Sequence, residues 1–245
     1  MNNGIQFKNV SFSYNQIPQL KNVSLQIPKG TFLGITGING SGKTTLSLLL
    51  NGLIPHEIDG KLSGDILIDN INTRKKPVSY FAQKIGMLFQ NPDFMLFNLT
   101  VFDEIAFGLS KQTDINKKVD EALEMVGLKG FEKRDPQTLS LGEKQKVCIA
   151  STLARDTEYI VLDEPVAMLD YKGAVNLYEL LRKINKDYKK TIIVVEHDTD
   201  FLLEYAHQVV LLDKGEIILK GTAASVFSHT KELKKLGIKI PQPIL

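Results

Sequence analysis

The chain has 245 residues, 43% of them apolar and 24% charged, and 30 Lys and Arg against 28 Asp and Glu leave a net charge of +2. This composition supports a buried core in one large domain or two small ones, and it excludes disorder, collagen and coiled coil as the main state. The charge is too small to mark a nucleic-acid footprint, so no nucleic-acid partner is expected; Arg74-Lys75-Lys76, Lys189-Lys190 and Lys234-Lys235 read as solvated faces.

The first residues, Met-Asn-Asn-Gly-Ile-Gln, lack the charged-then-apolar pattern of a signal peptide. Residues 5–14 and 23–27 are rich in β-favouring or alternating positions and read as strands of an antiparallel patch. Residues 31–36 form a short apolar strand. A glycine-rich turn follows, then a helix over 44–51 with a leucine face, stopped at Asn51-Gly52. Residues 65–69 alternate again. Helical patterns cover 104–110 and 116–126, with Gly127 as the C-cap. Cys148, the one cysteine, lies in the apolar run Val147-Cys148-Ile149-Ala150 and reads as a small core residue.

Residues 159–162 and 191–195 are continuous apolar runs, as expected of strands covered on both faces. Between them, residues 172–187 carry helical spacing at Val175, Leu177, Leu180, Leu181 and Ile184. Strand–helix–strand alternation implies an α/β fold with a parallel sheet. Residues 94–156 hold few strand signals and are expected to form an inserted helical subdomain. The main domain is expected over 1–228, with a tail over 229–245 whose Pro241 and Pro243 suggest a path across the surface. No apolar run approaches the ~18–20 residues a spanning helix needs, so the expectation is a chain soluble on its own.

Gly37-Ile38-Asn39-Gly40-Ser41-Gly42-Lys43-Thr44 fits the phosphate-loop pattern G-x-x-x-x-G-K-[ST], with an apolar strand entering and a helix leaving. Glycines let the backbone curl so that several N–H groups point inward, and the helix N-terminus adds its positive dipole end. Lys43 can then reach the outer phosphates and the Thr44 hydroxyl can bind Mg²⁺, with Thr45 beside it. At the end of the 159–162 strand stand Asp163 and Glu164, at the sheet edge where α/β proteins bind ligands. Asp163 is the expected Mg²⁺ ligand and Glu164 the general base for the attacking water. The second apolar strand ends in Glu196-His197-Asp198, where a neutral His197 can bond the γ-phosphate and keep the water in line. His56, His207 and His229 receive no role.

Between these elements lies Leu139-Ser140-Leu141-Gly142-Glu143-Lys144-Gln145-Lys146-Val147, which resembles the Leu-Ser-Gly-Gly-Gln signature of the ATP-binding cassette (ABC) family. The other family elements follow in order. Gln90, after Gly86-Met87-Leu88-Phe89, is similar to the Q-loop; Ala167-Met168-Leu169-Asp170 to the D-loop; His197 to the switch histidine. Tyr14, 23 residues before Gly37, sits where the family stacks an aromatic on adenine. The resemblance covers nearly the whole chain. It implies a P-loop NTPase fold with a RecA-like mixed sheet, an ATPase using ATP and Mg²⁺, and Gln90 as a further ligand of nucleotide and metal.

It also implies a dimer, because in that family Ser140, Gly142 and Glu143 would cap the γ-phosphate held by a second ABC ATPase subunit. A narrower likeness, to the ATPases of energy-coupling-factor (ECF) importers for vitamins and metal ions, rests on Phe89-Gln90-Asn91-Pro92-Asp93, Leu96-Phe97, the run Val101 through Gly108, Asn51-Gly52-Leu53-Ile54-Pro55-His56 and the tail Leu236-Gly237-Ile238-Lys239-Ile240-Pro241. It implies a transmembrane coupling protein, a substrate-binding membrane subunit, and a peripheral place on the cytoplasmic face of the cell membrane. Two positions depart from the patterns: Leu141 stands where the signature has its first glycine, and Met95 where the ECF pattern has a polar residue. A soluble ABC ATPase of a scaffold-assembly system and an ATPase of another importer class remain the alternatives.

Overall fold

The computed structural model describes residues 4–110 and 114–242. Two sheets organise it. β1 (Gly4–Tyr14), β2 (Ile17–Pro28), β4 (Lys61–Ile68) and β5 (Ile71–Asn72) pair antiparallel in the order β2-β1-β4-β5. β3 (Phe32–Gly37), β6 (Ile85–Leu88), β7 (Tyr159–Asp163), β8 (Thr191–Val195), β9 (Gln208–Asp213) and β10 (Glu216–Thr222) form a six-stranded sheet in the order β10-β9-β3-β8-β7-β6. Only β10 is antiparallel to its neighbour in it. The expected mixed α/β sheet with an antiparallel patch is the fold observed.

The apolar runs are explained by the two cores that the large sheet divides. Along β8, Ile192 and Val194 enter one core and Ile193 and Val195 the other; along β7, Ile160 and Leu162 alternate likewise with Tyr159 and Val161. A strand covered on both faces has no polar side to show. One core lies against the antiparallel sheet and helix α1 (Lys43–Leu50). The other is covered by α6 (Leu141–Ala154), α7 (Tyr171–Tyr188) and α8 (Thr199–Tyr205), where Cys148 is buried and its thiol is pushed up to about 12 by desolvation.

Between β6 and β7 the described residues are helices and turns: a 3₁₀ turn at Pro92–Phe94, α4 (Val101–Ala106), α5 (Ile115–Val126), a second 3₁₀ turn at Pro136–Thr138, and α6. α5 buries Val119, Ala122, Leu123 and Val126 on one face and closes at Gly127, as expected. The helix expected over 104–110 instead runs from Val101, because Thr100 accepts the Asp103 N–H as its N-cap, and it ends before an extended Phe107. Short helices α2 (Leu53–His56) and α3 (Val78–Ala82) precede β6.

β6, β9 and β10 carry no counterpart among the expected strands. The tail is a second correction: it does not wander. After α9 (Ala223–Phe227), α10 (Thr230–Lys235) buries Leu233, and Leu236, Ile238 and Ile240 pack on the core. The Thr199 hydroxyl donates to the Lys239 carbonyl at 3.0 Å, the Lys239 ammonium pairs with Asp198 and Asp200, and the Gln242 N–H donates to Asp200 at 2.7 Å. Apolar side chains at every second or third tail position overrule the prolines. Pro243 lies outside the described residues.

Candidate functional site

Parallel pairing places the ends of β3 and β7 on either side of β8, with Asp163 opposite Val195, so the loops after all three strands converge. The first loop is the glycine-rich turn. Gly42 has φ 103° and Gly37 φ 152°; a Cβ on Gly37 would stand 2.2 Å from the Leu212 carbonyl oxygen, and one on Gly42 2.7 Å from that of Gln19. Only glycine fits either place. The loop therefore nestles between β9 and the start of β2, with Gly40, Asn39 and Ile38 facing solvent. The Lys43 ammonium donates to the carbonyls of Gly37 (2.8 Å) and Ile38 (3.0 Å), and burial lowers its pKa against the raising pull of Glu164 and Asp163. The Ser41 hydroxyl is buried and has no hydrogen-bond partner among the described residues. Thr44 is exposed at the helix start and Thr45 buried behind it.

The strand-end groups meet this loop. Asp163 receives a hydrogen bond from the Thr44 side chain. Burial and the adjacent Glu164 carboxylate raise the Asp163 pKa, while Lys43, Thr44 and His197 pull it down. Glu164 takes a left-handed backbone, φ 49°, and its N–H donates to the Val195 carbonyl at 2.9 Å. A non-glycine residue held there is strained, and such strain concentrates at functional sites. Its carboxylate receives the Gln90 amide at 3.2 Å on one oxygen and stands 2.9 Å from the His197 Nε2 on the other. Six expected residues, Lys43, Thr44, Gln90, Asp163, Glu164 and His197, are thus brought together.

Sequence reasoning missed Glu196. It is 4% exposed, between the apolar β8 and His197, and one carboxylate oxygen accepts the N–H groups of His197 (2.7 Å) and Asp198 (3.0 Å). The Tyr178 hydroxyl donates to the other at 3.3 Å. The signal available was an acid directly after four apolar residues, Ile192 to Val195; that the acid turns inward to hold the next backbone was not readable. Gln145 was missed as well: its amide donates to the Pro165 carbonyl, next to Glu164.

The remaining expected residues stand apart from this cluster. Ser140 caps α6 in a reciprocal box with Glu143: the Ser140 N–H and hydroxyl both donate to Glu143 Oε2 at 2.8 Å, and the Glu143 N–H donates back to the hydroxyl at 3.4 Å. The two bonds from Ser140 hold the Glu143 carboxyl below its usual range. Ser140, Gly142 and Glu143 line a shallow recess with Leu169 and Gly173. Asp170 caps α7, accepting the Gly173 N–H at 2.7 Å. Tyr14 ends β1, its ring edge-on to Phe12 at 4.7 Å, beside the hairpin whose return strand reaches Gly42. Of the other histidines, His56 bonds the Thr73 carbonyl and His207 Nδ1 accepts the Phe32 N–H, both structural uses.

The model of the ABC transporter family matches residues 20–167. A putative ABC transporter ATP-binding protein of Pyrococcus horikoshii is 44% identical over 98% of this chain and 86% of its own length. Among solved structures, cbiO1 from Clostridium perfringens, part of the ABC transporter complex cbiONQ, superposes with a TM-score of 0.85 at 30% identity, covering 97% of this chain and 95% of that one. A dimeric ATP-binding cassette in a post-hydrolysis state with ADP and Pi bound gives a TM-score of 0.75 at 30% identity, covering 89% of this chain and 98% of that one.

Proposed function

The chain belongs to the ABC transporter family and is an ATP-binding ATPase of it; from that premise we propose that it powers an ECF-type importer, driving uptake of a vitamin or metal ion through a transmembrane partner. Among the described residues no helix is long and apolar enough to cross a membrane, so the membrane path belongs to other subunits. The observation that carries this reading is the apolar surface just beyond Gln90. Phe94 and Leu99 are 85% and 86% exposed, and Phe97 and Phe107, themselves exposed, meet edge-on at 4.9 Å. A patch of this kind marks an interaction site, and it joins the loop that touches Glu164. The likeness to cbiO1, part of a cbiONQ complex, supports the same partner class.

In this reading residues 37–44 cradle the triphosphate, with the orphaned Ser41 hydroxyl and the Lys43 ammonium turned to its oxygens and Tyr14 against the base. Residues 1–228 form the nucleotide-binding domain, with 94–156 its helical subdomain. Glu164 takes a proton from water as that water attacks the γ-phosphorus; the bond to the bridging oxygen breaks, leaving ADP and phosphate. His197 and Gln90 hold the Glu164 carboxylate from both sides. Mg²⁺ fits here: the Thr44 hydroxyl and Asp163 carboxylate are hard oxygen donors already in contact, and Gln90 lies beside them. Bound there, the ion would neutralise phosphate charge.

The dimer follows from the capped start of α6. Its N-terminus is an anion site, and it stands away from the chain's own phosphate loop, so it serves a second cassette. Leu141 adds bulk to that surface while its N–H remains, which favours a heterodimer whose partner brings the better signature. Two experiments test this function. Affinity purification of the chain from detergent-solubilised membranes should recover an integral membrane protein and a second cassette, identified by mass spectrometry. Recovery from the soluble fraction alone overturns the transport reading, and vigorous turnover by an ATP-dependent homodimer of the chain alone overturns the heterodimer.

A further inference from the structure

α6 sends two consecutive side chains to the chain's own hydrolytic loops. Gln145 reaches the carbonyl of Pro165, one residue past Glu164. Lys144 reaches the other way: its ammonium pairs with Asp93 Oδ1 at 2.6 Å. Asp93 lies in the 3₁₀ turn Pro92–Phe94, which Asn91 caps by accepting the Asp93 N–H at 2.9 Å, and Asn91 directly follows Gln90. On the helix, the Lys144 N–H donates to the Ser140 carbonyl at 2.9 Å, so Lys144 sits one turn beyond the cap. The bonded path therefore runs from Glu164 to Gln90, through the capped turn to Asp93, across to Lys144 and back to Ser140. Met95 closes the turn beside Gln145 and Cys148, its sulfur accepting the Phe89 N–H at 3.4 Å.

From this geometry we infer that Asp93 and Lys144 form a positioning pair that ties the Gln90 turn to the start of α6, so that the state of the chain's own γ-phosphate site sets the placement of Ser140 against the second nucleotide. The inference rests on the reading that Ser140 acts on a partner's ATP. The Lys144 side chain is 12% exposed and the Asp93 carboxylate 44% exposed. An ion pair with one end in water adds little to stability, because solvent screens it and ordering it costs side-chain entropy. What the pair does add is direction: the turn rests on α6 through the buried Pro92 and the half-buried Met95, and the pair fixes its polar side to one point on that rigid helix. Neither residue touches substrate; both act through Gln90 and Ser140.

The test is a cycle of variants in the complex in which the chain purifies. Lys144→Gln and Asp93→Asn should each lower kcat for ATP hydrolysis on the order of tenfold, the size of a typical coupling between sites, with ATP affinity and Tm unchanged. The exchange Asp93→Lys with Lys144→Asp should recover most of the loss. In a Gln90→Ala background, Lys144→Gln should have no further effect on kcat, because neighbours on one path are non-additive. The inference is overturned if Lys144→Gln leaves kcat at the wild-type value, if its penalty is undiminished in Gln90→Ala, or if the exchange leaves kcat as low as in the single variants. Failure of the underlying function shows elsewhere, as hydrolysis that survives Glu164→Gln or a chain with no cassette partner.

Discussion

His197 Nε2 lies 2.9 Å from Glu164 Oε1, and the two residues come from the ends of adjacent parallel strands. Sequence separates them by 33 positions; the sheet brings them into contact because Glu164 directly follows β7, His197 stands two residues past the last residue of β8, and the two strands end at the same level. The contact is built from the backbone upward. Glu164 is turned inward by a left-handed φ of 49° and by its N–H bond to the Val195 carbonyl, and His197 is pinned by the carboxylate of Glu196. Gln90 completes the arrangement from β6, on the far side of β7.

If Glu164 is the general base, Glu164→Gln should cut turnover by ~10²–10⁴-fold while ATP binding is retained. The amide keeps the size and the hydrogen-bonding positions next to Gln90 and His197 but cannot take a proton from water. Single-turnover hydrolysis together with equilibrium nucleotide binding checks both halves. Hydrolysis at the wild-type rate would remove Glu164 from this role.

Lys43→Ala should act on binding itself. The ammonium is buried, donates to the Gly37 and Ile38 carbonyls, and is drawn to Asp163 and Glu164. A charge-assisted bond to phosphate is worth about 1.5–3 kcal/mol, so ATP affinity should fall roughly 10–100-fold. Titration calorimetry at fixed Mg²⁺ reads this directly; an unchanged Kd contradicts the cradle.

The site was legible in the sequence where its signals are local. The phosphate loop, Asp163-Glu164 and His197 each follow an apolar run, and a parallel strand's end is where α/β proteins hold ligands. What the sequence hid is set by tertiary placement. Glu196 reads like any strand-end acid, yet it folds under the loop to hold the His197 N–H. β9 carries the same continuous apolar pattern as β8, Val-Val-Leu-Leu, and ends in Asp213, but no motif accompanies that acid. β10 alternates weakly, and the tail's Leu236, Ile238 and Ile240 follow no helical period, so their burial depends on the groove they meet.

Glu196 gives a pH test with a definite sign. Burial raises its pKa, more than the bonds from Asp198, His197 and Tyr178 lower it. The folded protein therefore takes up the proton at higher pH than the unfolded chain, and stability falls as pH rises through that window. Above the window the full cost of the buried charge is present. Glu196→Gln keeps an oxygen for the His197 and Asp198 N–H groups and removes the charge. Its Tm should exceed that of wild type at pH 8, and the gap should close as pH drops towards the unfolded carboxylate value of about 4.3. A gap independent of pH would show that the carboxylate's charge is not its source.

Removing residues 236–245 tests the docked tail. Three half-buried aliphatic side chains leave the core, and so does the Lys239 bridge to Asp198 and Asp200. The apolar loss alone is worth roughly 2–4 kcal/mol, which for a chain of this size lowers Tm by about 5–10 °C. Lys239→Ala should cost little by itself, because its ammonium is half exposed and screened. Calorimetric melting of both variants separates the contributions; an unchanged Tm on truncation would restore the idea of a tail loose on the surface.

Gly142→Ala separates what the chain needs from what a partner nucleotide needs. Within this chain nothing calls for glycine at 142: it lies inside α6, and an added Cβ would meet only the Leu169 Cδ2, at 3.9 Å. Alanine is the better helix former, so the variant should be as stable as wild type or more stable by up to about 1 kcal/mol. The glycine is explained only if something outside the chain approaches the start of α6 closely. In the proposed function a triphosphate on the opposing cassette would do so, resting on the N–H groups of the first turn. The extra methyl should then lower ATPase activity of the dimer about 10²-fold, the cost of misplacing reacting groups by an ångström, while nucleotide binding to the chain's own loop stays unchanged. Ligand binding to the isolated chain, its melting temperature and turnover of the assembled complex give the three readings. Full turnover in Gly142→Ala would mean that the capped start of α6 is a structural element only, and that the second nucleotide is held by other residues.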